Sequence, residues 1–220
     1  MQTSILGKVL GKVLGAVAVA SVLLVTLGVG VAWALTIDCT INPVALCEGS
    51  NARDEFAGED VDDGVDGHRD VIEGERSSDT AHGNGGNDRI LGGKGADGEL
   101  GGELSGGAGN DYVDGGPGDD DNVKGGSGDD TVNGGPGDDG NGSTVDGDLE
   151  GGAGNNKVRG GPGEDLIDAN DSLAGQVEDV SGGDDDDTIR ADDGEVDNID
   201  CGTGSDTVAV DVGIDTLTNC

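Results

Sequence analysis

Aspartate recurs in this chain at a near-constant interval. Asp54, Asp63, Asp70, Asp79, Asp88 and Asp97 follow one another at spacings of 9, 7, 9, 9 and 9 residues. Further on, Gly106-Gly-Ala-Gly-Asn-Asp-Tyr-Val-Asp114, Gly125-Gly-Ser-Gly-Asp-Asp-Thr-Val-Asn133 and Gly160-Gly-Pro-Gly-Glu-Asp-Leu-Ile-Asp168 set the same aspartate in a frame of glycines. All three fit G-G-x-G-x-D-x-U-x, where U is a large aliphatic residue. The sixth-position carboxylate offers hard, anionic oxygen, which Ca²⁺ takes together with backbone carbonyls. One carboxylate and a few carbonyls fall short of the six to eight oxygens that Ca²⁺ collects. Two turns stacked against one ion could reach that number. The metal candidates are therefore Asp88, Asp97, Asp111, Asp120, Asp130, Asp139, Asp165, Asp187 and Asp206, with the fourth-position glycines Gly109, Gly118, Gly128, Gly137 and Gly163. Asn156 replaces the aspartate in the unit from Gly151, so that turn is expected to bind more weakly.

Positioning these carboxylates requires a turn and a short strand in every unit. Glycine at positions one, two and four permits positive φ and close backbone approach, and the aliphatic at position eight points inward. Phe56, Val65, Ile72, Ala81 and Ile90 follow their aspartates by two residues. The residue two before each later glycine pair stays aliphatic (Leu104, Val113, Val123, Val132, Leu149, Val158, Val180), even where a unit runs to 10, 14 or 17 residues. Extra residues therefore belong between aspartate and aliphatic, as loops. A disordered chain has no need to hold that register. The pattern breaks at Ala169 to Ser181 and resumes at Gly182, Ala191 and Cys201. Asp185 stands where a fourth glycine belongs and is expected to distort its turn, and the run Asp184 to Asp187 reads equally as a solvated loop or a calcium turn. Val208, Val210, Val212 and Ile214 alternate with small or acidic residues, which suits a terminal strand.

Composition narrows the partners. The chain has 47 Asp+Glu against 11 Lys+Arg and a formal net charge of −36. Such a chain repels itself unless counter-ions arrive. Nucleic acid and anionic membranes are excluded, since phosphate contacts need Lys and Arg. The partner implied is a cation, and no macromolecular partner is indicated. Residues 1–34 contain no acid. Lys8 and Lys12 precede an uncharged run ending in Ala32-Trp33-Ala34, the form of a secretory signal peptide. The run is also long enough to stay as a membrane anchor. Export to the extracellular space or cell surface agrees with Cys39, Cys47, Cys201 and Cys220, which bracket the acidic repeats and can pair in an oxidising compartment. Pairing of Cys39 with Cys47 and of Cys201 with Cys220 would pin the two ends, though four cysteines allow three connectivities. Enzyme motifs are missing: His68 and His82 belong to no H-E-x-x-H, and no G-x-S-x-G occurs. Gly93 to Gly98 and Gly135 to Gly140 match G-x-G-x-x-G literally, but without the strand-and-helix context of a dinucleotide site.

The repeated nonapeptide resembles that of the RTX (repeats-in-toxin, hemolysin-type) calcium-binding proteins. That resemblance implies an all-β fold, a parallel β-roll or β-solenoid, with multiple Ca²⁺ ions held between successive turns. It also implies that Gly106 to Asp111 faces Gly125 to Asp130, and Gly115 to Asp120 faces Gly134 to Asp139. The expected organisation is a signal peptide over 1–34, an N-terminal cap over 35–48, calcium-binding repeats over 49–209 and a C-terminal cap over 210–220. The expected function is that of a secreted, non-enzymatic protein that folds on calcium, structural or adhesive outside the cell. The alternatives are a disordered polyanionic calcium buffer and a non-catalytic remnant of a larger RTX toxin or enzyme.

Overall fold

A unit with one large aliphatic side chain in nine residues cannot enclose a core alone, so units must stack to bury it. The computed structural model describes residues 35–38, 46–48, 54–57, 70–76, 78–98, 103–140, 148–170 and 175–220, with side chains from Asp70 onward. The expected signal peptide and the Cys39–Cys47 pairing lie outside those residues. Among the described residues no helix is long and apolar enough to cross a membrane.

The described strands run in chain order as β1 (Leu35–Asp38), β2 (Leu46–Glu48), β3 (Asp54–Ala57), β4 (Val71–Glu73), β5 (Thr80–His82), β6 (Arg89–Leu91), β7 (Leu104–Ala108), β8 (Tyr112–Asp114) and β9 (Val123–Ser127). They continue as β10 (Thr131–Asn133), β11 (Leu149–Ala153), β12 (Lys157–Pro162), β13 (Leu166–Asp168), β14 (Asp179–Asp184), β15 (Thr188–Ala191), β16 (Asn198–Thr203), β17 (Thr207–Val210) and β18 (Thr216–Thr218). Odd-numbered strands form one parallel sheet and even-numbered strands the other. The chain is thus a β-solenoid in which each coil contributes one strand to each sheet.

Register follows the aliphatics. Leu104, Val123, Leu149, Ile167 and Ile189 stand side by side in the odd sheet. Val113, Val132, Val158, Val180 and Ile199 do so in the even sheet. All of these are buried, and each contributes about 1.5–3 kcal/mol. The core is therefore a single stacked row of Val, Ile and Leu from each sheet. A one-residue slip would turn every aliphatic outward, which is why the loops keep register. Insertions after Asp97, Asp120 and Asp139 all precede an odd-sheet strand and leave Leu104, Val123 and Leu149 in place.

Two expectations are corrected. The segment expected as a break does not interrupt the roll: β14 begins at Asp179, and Val180 is buried in register with Val158. Here the extra residues fall inside the turn itself, before Glu178. The expected strand through Val212 and Ile214 stops at Val210, and Val212 is 95% exposed. The Asp211 N–H donates to Asp215 Oδ2 (2.7 Å) and the Ile214 N–H to Asp211 O (3.0 Å). This turn brings Thr216–Thr218 onto the even sheet beside Asn198–Asp200. A disulfide joins Cys201 to Cys220, with Cα atoms 5.1 Å apart, and ties down that last strand. Asp185, at a fourth position, has a φ of 81° against 133–152° for Gly109, Gly128, Gly137 and Gly163, while Asp187 two residues on still joins the ladder.

Candidate metal sites on the two edges

Two kinds of turn alternate along the chain. Those leading from odd to even strands form a first edge, and those from even to odd strands a second. On each edge the sixth-position side chains form a ladder. On the first, the N–H of Asp70 donates to Asp88 Oδ1, that of Asp88 to Asp111 Oδ1 and that of Asp111 to Asp130 Oδ1, each at 2.7 Å. On the second, the chain of donors runs Asp79, Asp97, Asp120, Asp139, Asp165 and Asp187, ending on Asp206 Oδ1, at 2.7–3.0 Å. Turns one coil apart on the same edge are therefore stacked, Gly106 to Asp111 on Gly125 to Asp130 among them.

One carboxylate oxygen is used by this ladder; the other is not. Oδ2 of Asp97, Asp111, Asp120, Asp130, Asp139, Asp165 and Asp187 is buried and accepts no hydrogen bond. A buried acceptor left in that state costs about 1–3 kcal/mol, more if charged. The ionisation of these groups reflects it. Burial raises Asp97, Asp111 and Asp187 to about 6, Asp130 and Asp139 to about 7, and Asp120 and Asp165 to about 8, against an ordinary 3.8. The ladder hydrogen bond from the preceding aspartate pulls each down by less, and for five of them neighbouring carboxylates add to the rise. The fold by itself thus disfavours the charge that these residues would carry at neutral pH.

The first-position glycines show where the oxygens converge. A Cβ on Gly106 would stand 2.5 Å from Asp111 Oδ2 and 2.6 Å from the carbonyl oxygen of Gly125 in the next coil. On Gly125 it would stand 2.5 Å from Gly151 O and 2.7 Å from Asp130 Oδ2. Only glycine leaves this space to a carboxylate oxygen from one coil and a carbonyl oxygen from the next. Among the described residues no three Asp, Glu, His or Cys side chains gather at one point. A cation there would draw most of its ligands from backbone carbonyls, which hard, oxygen-seeking Ca²⁺ accepts.

A family model for the RTX calcium-binding nonapeptide repeat matches in four copies, over residues 65–98, 103–121, 118–140 and 141–172. Residues 65–172 thus carry RTX calcium-binding nonapeptide repeats. No curated protein and no solved structure matches it. RTX repeats bind multiple Ca²⁺ ions, and the parallel solenoid described above is the expected RTX roll.

The RTX roll divides the expected ligands between its edges. Asp88, Asp111 and Asp130 line the first edge, with Gly109 and Gly128. Asp97, Asp120, Asp139, Asp165, Asp187 and Asp206 line the second, with Gly118, Gly137 and Gly163. The fourth-position glycines stitch coils together: the N–H of Gly109 donates to Ser127 O (2.8 Å), that of Gly128 to Ala153 O (2.7 Å) and that of Gly163 to Asp184 O (3.1 Å). The acidic run at 184–187 is split, with Asp187 buried in the ladder and Asp184, Asp185 and Asp186 exposed.

Several residues of the edges are absent from the expected set. Asp197, Asp215 and Glu178 continue the first-edge ladder, the Glu178 N–H donating to Asp197 Oδ1 (2.9 Å) and the Asp197 N–H to Asp215 Oδ1 (3.1 Å). Register alone reveals Glu178, since no glycine pair frames it. Fifth-position side chains build a second, exposed ladder. Asn87 Oδ1 accepts from the Asn110 N–H, Asn110 Oδ1 from Asp129 and Asp129 Oδ1 from Asn155, at 2.8–3.1 Å. A signal for it was present, because that position is Asn, Asp or Glu in most units.

Proposed function

We propose that the chain is exported and folds on binding Ca²⁺ between successive coils, becoming a rigid, non-enzymatic structural or adhesive component outside the cell. One observation carries this reading: seven buried carboxylate oxygens without hydrogen-bond partners, set in rows along both edges. Asp88, Asp97, Asp111, Asp120, Asp130, Asp139, Asp165, Asp187 and Asp206 would supply side-chain oxygen, and the glycine turns would supply carbonyl oxygen. Bound calcium supplies positive charge and a demand for oxygen ligands. The chain's part is to hold each carboxylate at a fixed height by the ladder hydrogen bond and to keep side chains out of the space beside it. With a net charge of −36, folding without counter-ions is opposed by self-repulsion, so folding and binding are coupled.

Export is supported by the basic, then apolar, first 34 residues and by the Cys201–Cys220 disulfide, a bond that persists in oxidising compartments. The RTX roll is a non-catalytic calcium-binding fold, and each described coil is taken up by turn and strand. Far-UV circular dichroism of the chain from Leu35, titrated with Ca²⁺ and then EDTA against an Mg²⁺ control, tests the proposal. A cooperative, reversible gain of β signal with Ca²⁺ alone is expected. A coil at every calcium concentration would overturn the reading.

A further inference from the structure

The two edges begin alike and end differently. On the second edge the sixth position is aspartate in every described coil from Asp79 to Asp206, and the first is glycine until Cys201. On the first edge the sixth position reads Asp88, Asp111 and Asp130, then Asn156 and Glu178, before aspartate returns at Asp197 and Asp215. Its first position reads Gly83, Gly106, Gly125 and Gly151, then Ala169, Ala191 and Val210.

Each change puts one of the chain's own groups where the earlier coils converge oxygen. Asn156 keeps its place in the ladder, its Oδ1 accepting from the Asp130 N–H at 2.8 Å. Its other atom is now a donor: Nδ2 donates to Glu178 Oε1 (2.9 Å) and to Gly152 O (3.0 Å). A Cβ on Gly151 would meet that Nδ2 at 2.8 Å and Glu178 Oε2 at 2.7 Å, where Gly106 and Gly125 present a carboxylate and a carbonyl oxygen. An amide N–H repels a cation, and this one is bonded to one oxygen of the acid opposite.

One coil on, Ala169 occupies the first position. Its N–H donates to Arg190 O at 2.8 Å, the bond that the Gly83 N–H makes to Ser105 O. Ala169 and Ala191 are both buried, and each sets a methyl group at the position where glycine has none. The rim changes too. Where Gly109 and Gly128 donate to backbone carbonyls of the next coil, Gly154 donates to Gln176 Oε1 (2.9 Å), Gly175 to Glu195 Oε2 (2.7 Å) and Gly194 to Asp211 Oδ2 (2.6 Å). At the last turn Asp215 Oδ2 accepts from the Asp211 N–H.

We propose that calcium occupies the first edge only as far as the space beside Gly125, and that from Gly151 onward this edge is sealed by the chain's own amide, methyl and hydrogen-bonding groups, so that the two edges load unequally. The inference rests on the calcium reading above and specifies which of its positions are used. Stacked coils on the second edge take ions along its length, while the C-terminal part of the first edge is held by hydrogen bonds that calcium does not alter.

Native mass spectrometry of the purified chain at saturating calcium counts the ions, with circular dichroism confirming the fold of each variant. Asn156→Asp exchanges the donor for a second carboxylate beside Glu178, and one additional ion is expected. Glu178→Gln keeps the acceptor that Asn156 uses, and an unchanged count is expected; loss of an ion would show Glu178 to be a ligand and overturn the proposal. Asp120→Asn, on the second edge, should lose at least one ion. If Asp120→Asn loses an ion while Asn156→Asp binds the same number as the parent, the sealing is wrong and the calcium reading survives. If the parent chain binds no calcium, both fall.

Discussion

Replacing Gly125 by alanine tests the space at the centre of the proposed sites. The methyl carbon would stand 2.5 Å from Gly151 O, 2.6 Å from Asp130 Cβ and 2.7 Å from Asp130 Oδ2, all inside the 3.0 Å that Cβ contacts essentially never cross. Neither neighbour can yield easily. Gly151 lies within β11, whose next residue pairs with Gly126, and the Asp130 carboxylate is held by the Asp111 N–H at 2.7 Å. Overpacking of this kind costs about 1–3 kcal/mol. In a chain of this size that lowers the melting temperature by about 2–12 °C, at about 2–4 °C per kcal/mol. If the two oxygens hold an ion, the methyl also excludes it, and the calcium concentration needed for half-maximal folding rises. Gly213→Ala is the control: its φ is +88° and no atom lies within 4 Å of the added carbon, so it costs about 1–2 kcal/mol of backbone strain and leaves calcium stoichiometry unchanged. Melts and calcium titrations by circular dichroism read both variants. A Gly125→Ala chain that melts lower yet binds the same number of ions would refute the reasoning, leaving this space a matter of packing.

Acid should partly replace calcium. Asp97, Asp111, Asp120, Asp130, Asp139, Asp165 and Asp187 are raised from 3.8 to between about 6 and about 8 in the fold, so the folded chain holds protons that the unfolded chain has released. Stability therefore falls as pH rises: their contribution to the calcium-free roll is full below about 3.8 and is lost through about 6 to 8. In EDTA the β signal should grow on acidification through that window, and a signal independent of pH would contradict the burial argument. Reducing the Cys201–Cys220 disulfide, whose cysteines are 19 residues apart, should cost about 3 kcal/mol. Melts with and without reductant should show that loss; the Cys201 carbonyl oxygen stands with Asp187 Oδ2 beside Gly182, so at most that one calcium site should weaken.

Much of this was legible before any coordinates. A period of nine with one aliphatic and one aspartate per unit implies stacked turn-and-strand coils, because each unit alone has too little apolar surface to fold. The constancy of Leu104, Val123 and Leu149 across units of unequal length located the insertions, since a strand that faces a core on one side cannot shift by one residue. The acid excess and the carboxylate in a glycine turn pointed to a hard cation by charge and ligand chemistry alone. Such conclusions depend on residue type and spacing, which are properties of the chain itself.

Other features needed the stacked coils. Glu178 carries no glycine signature and joins the ladder only because β12 and β14 pair in register. The acidic run at 184–187 reads as one block in sequence, yet the turn buries Asp187 and leaves its three neighbours exposed. Val212 and Ile214 continue an alternating pattern, but the hydrogen bond from the Asp211 N–H to Asp215 Oδ2 ends the strand before them. Sequence could name Asn156 as a weak ligand; only the approach of its Nδ2 to Glu178 shows an amide standing where its neighbours present oxygen. The periodic sequence determined which atoms the chain offers to a cation. Tertiary stacking decided which of them meet, because each site is built from two coils separated by about twenty residues of sequence, and the distance between those coils is set by the sheets.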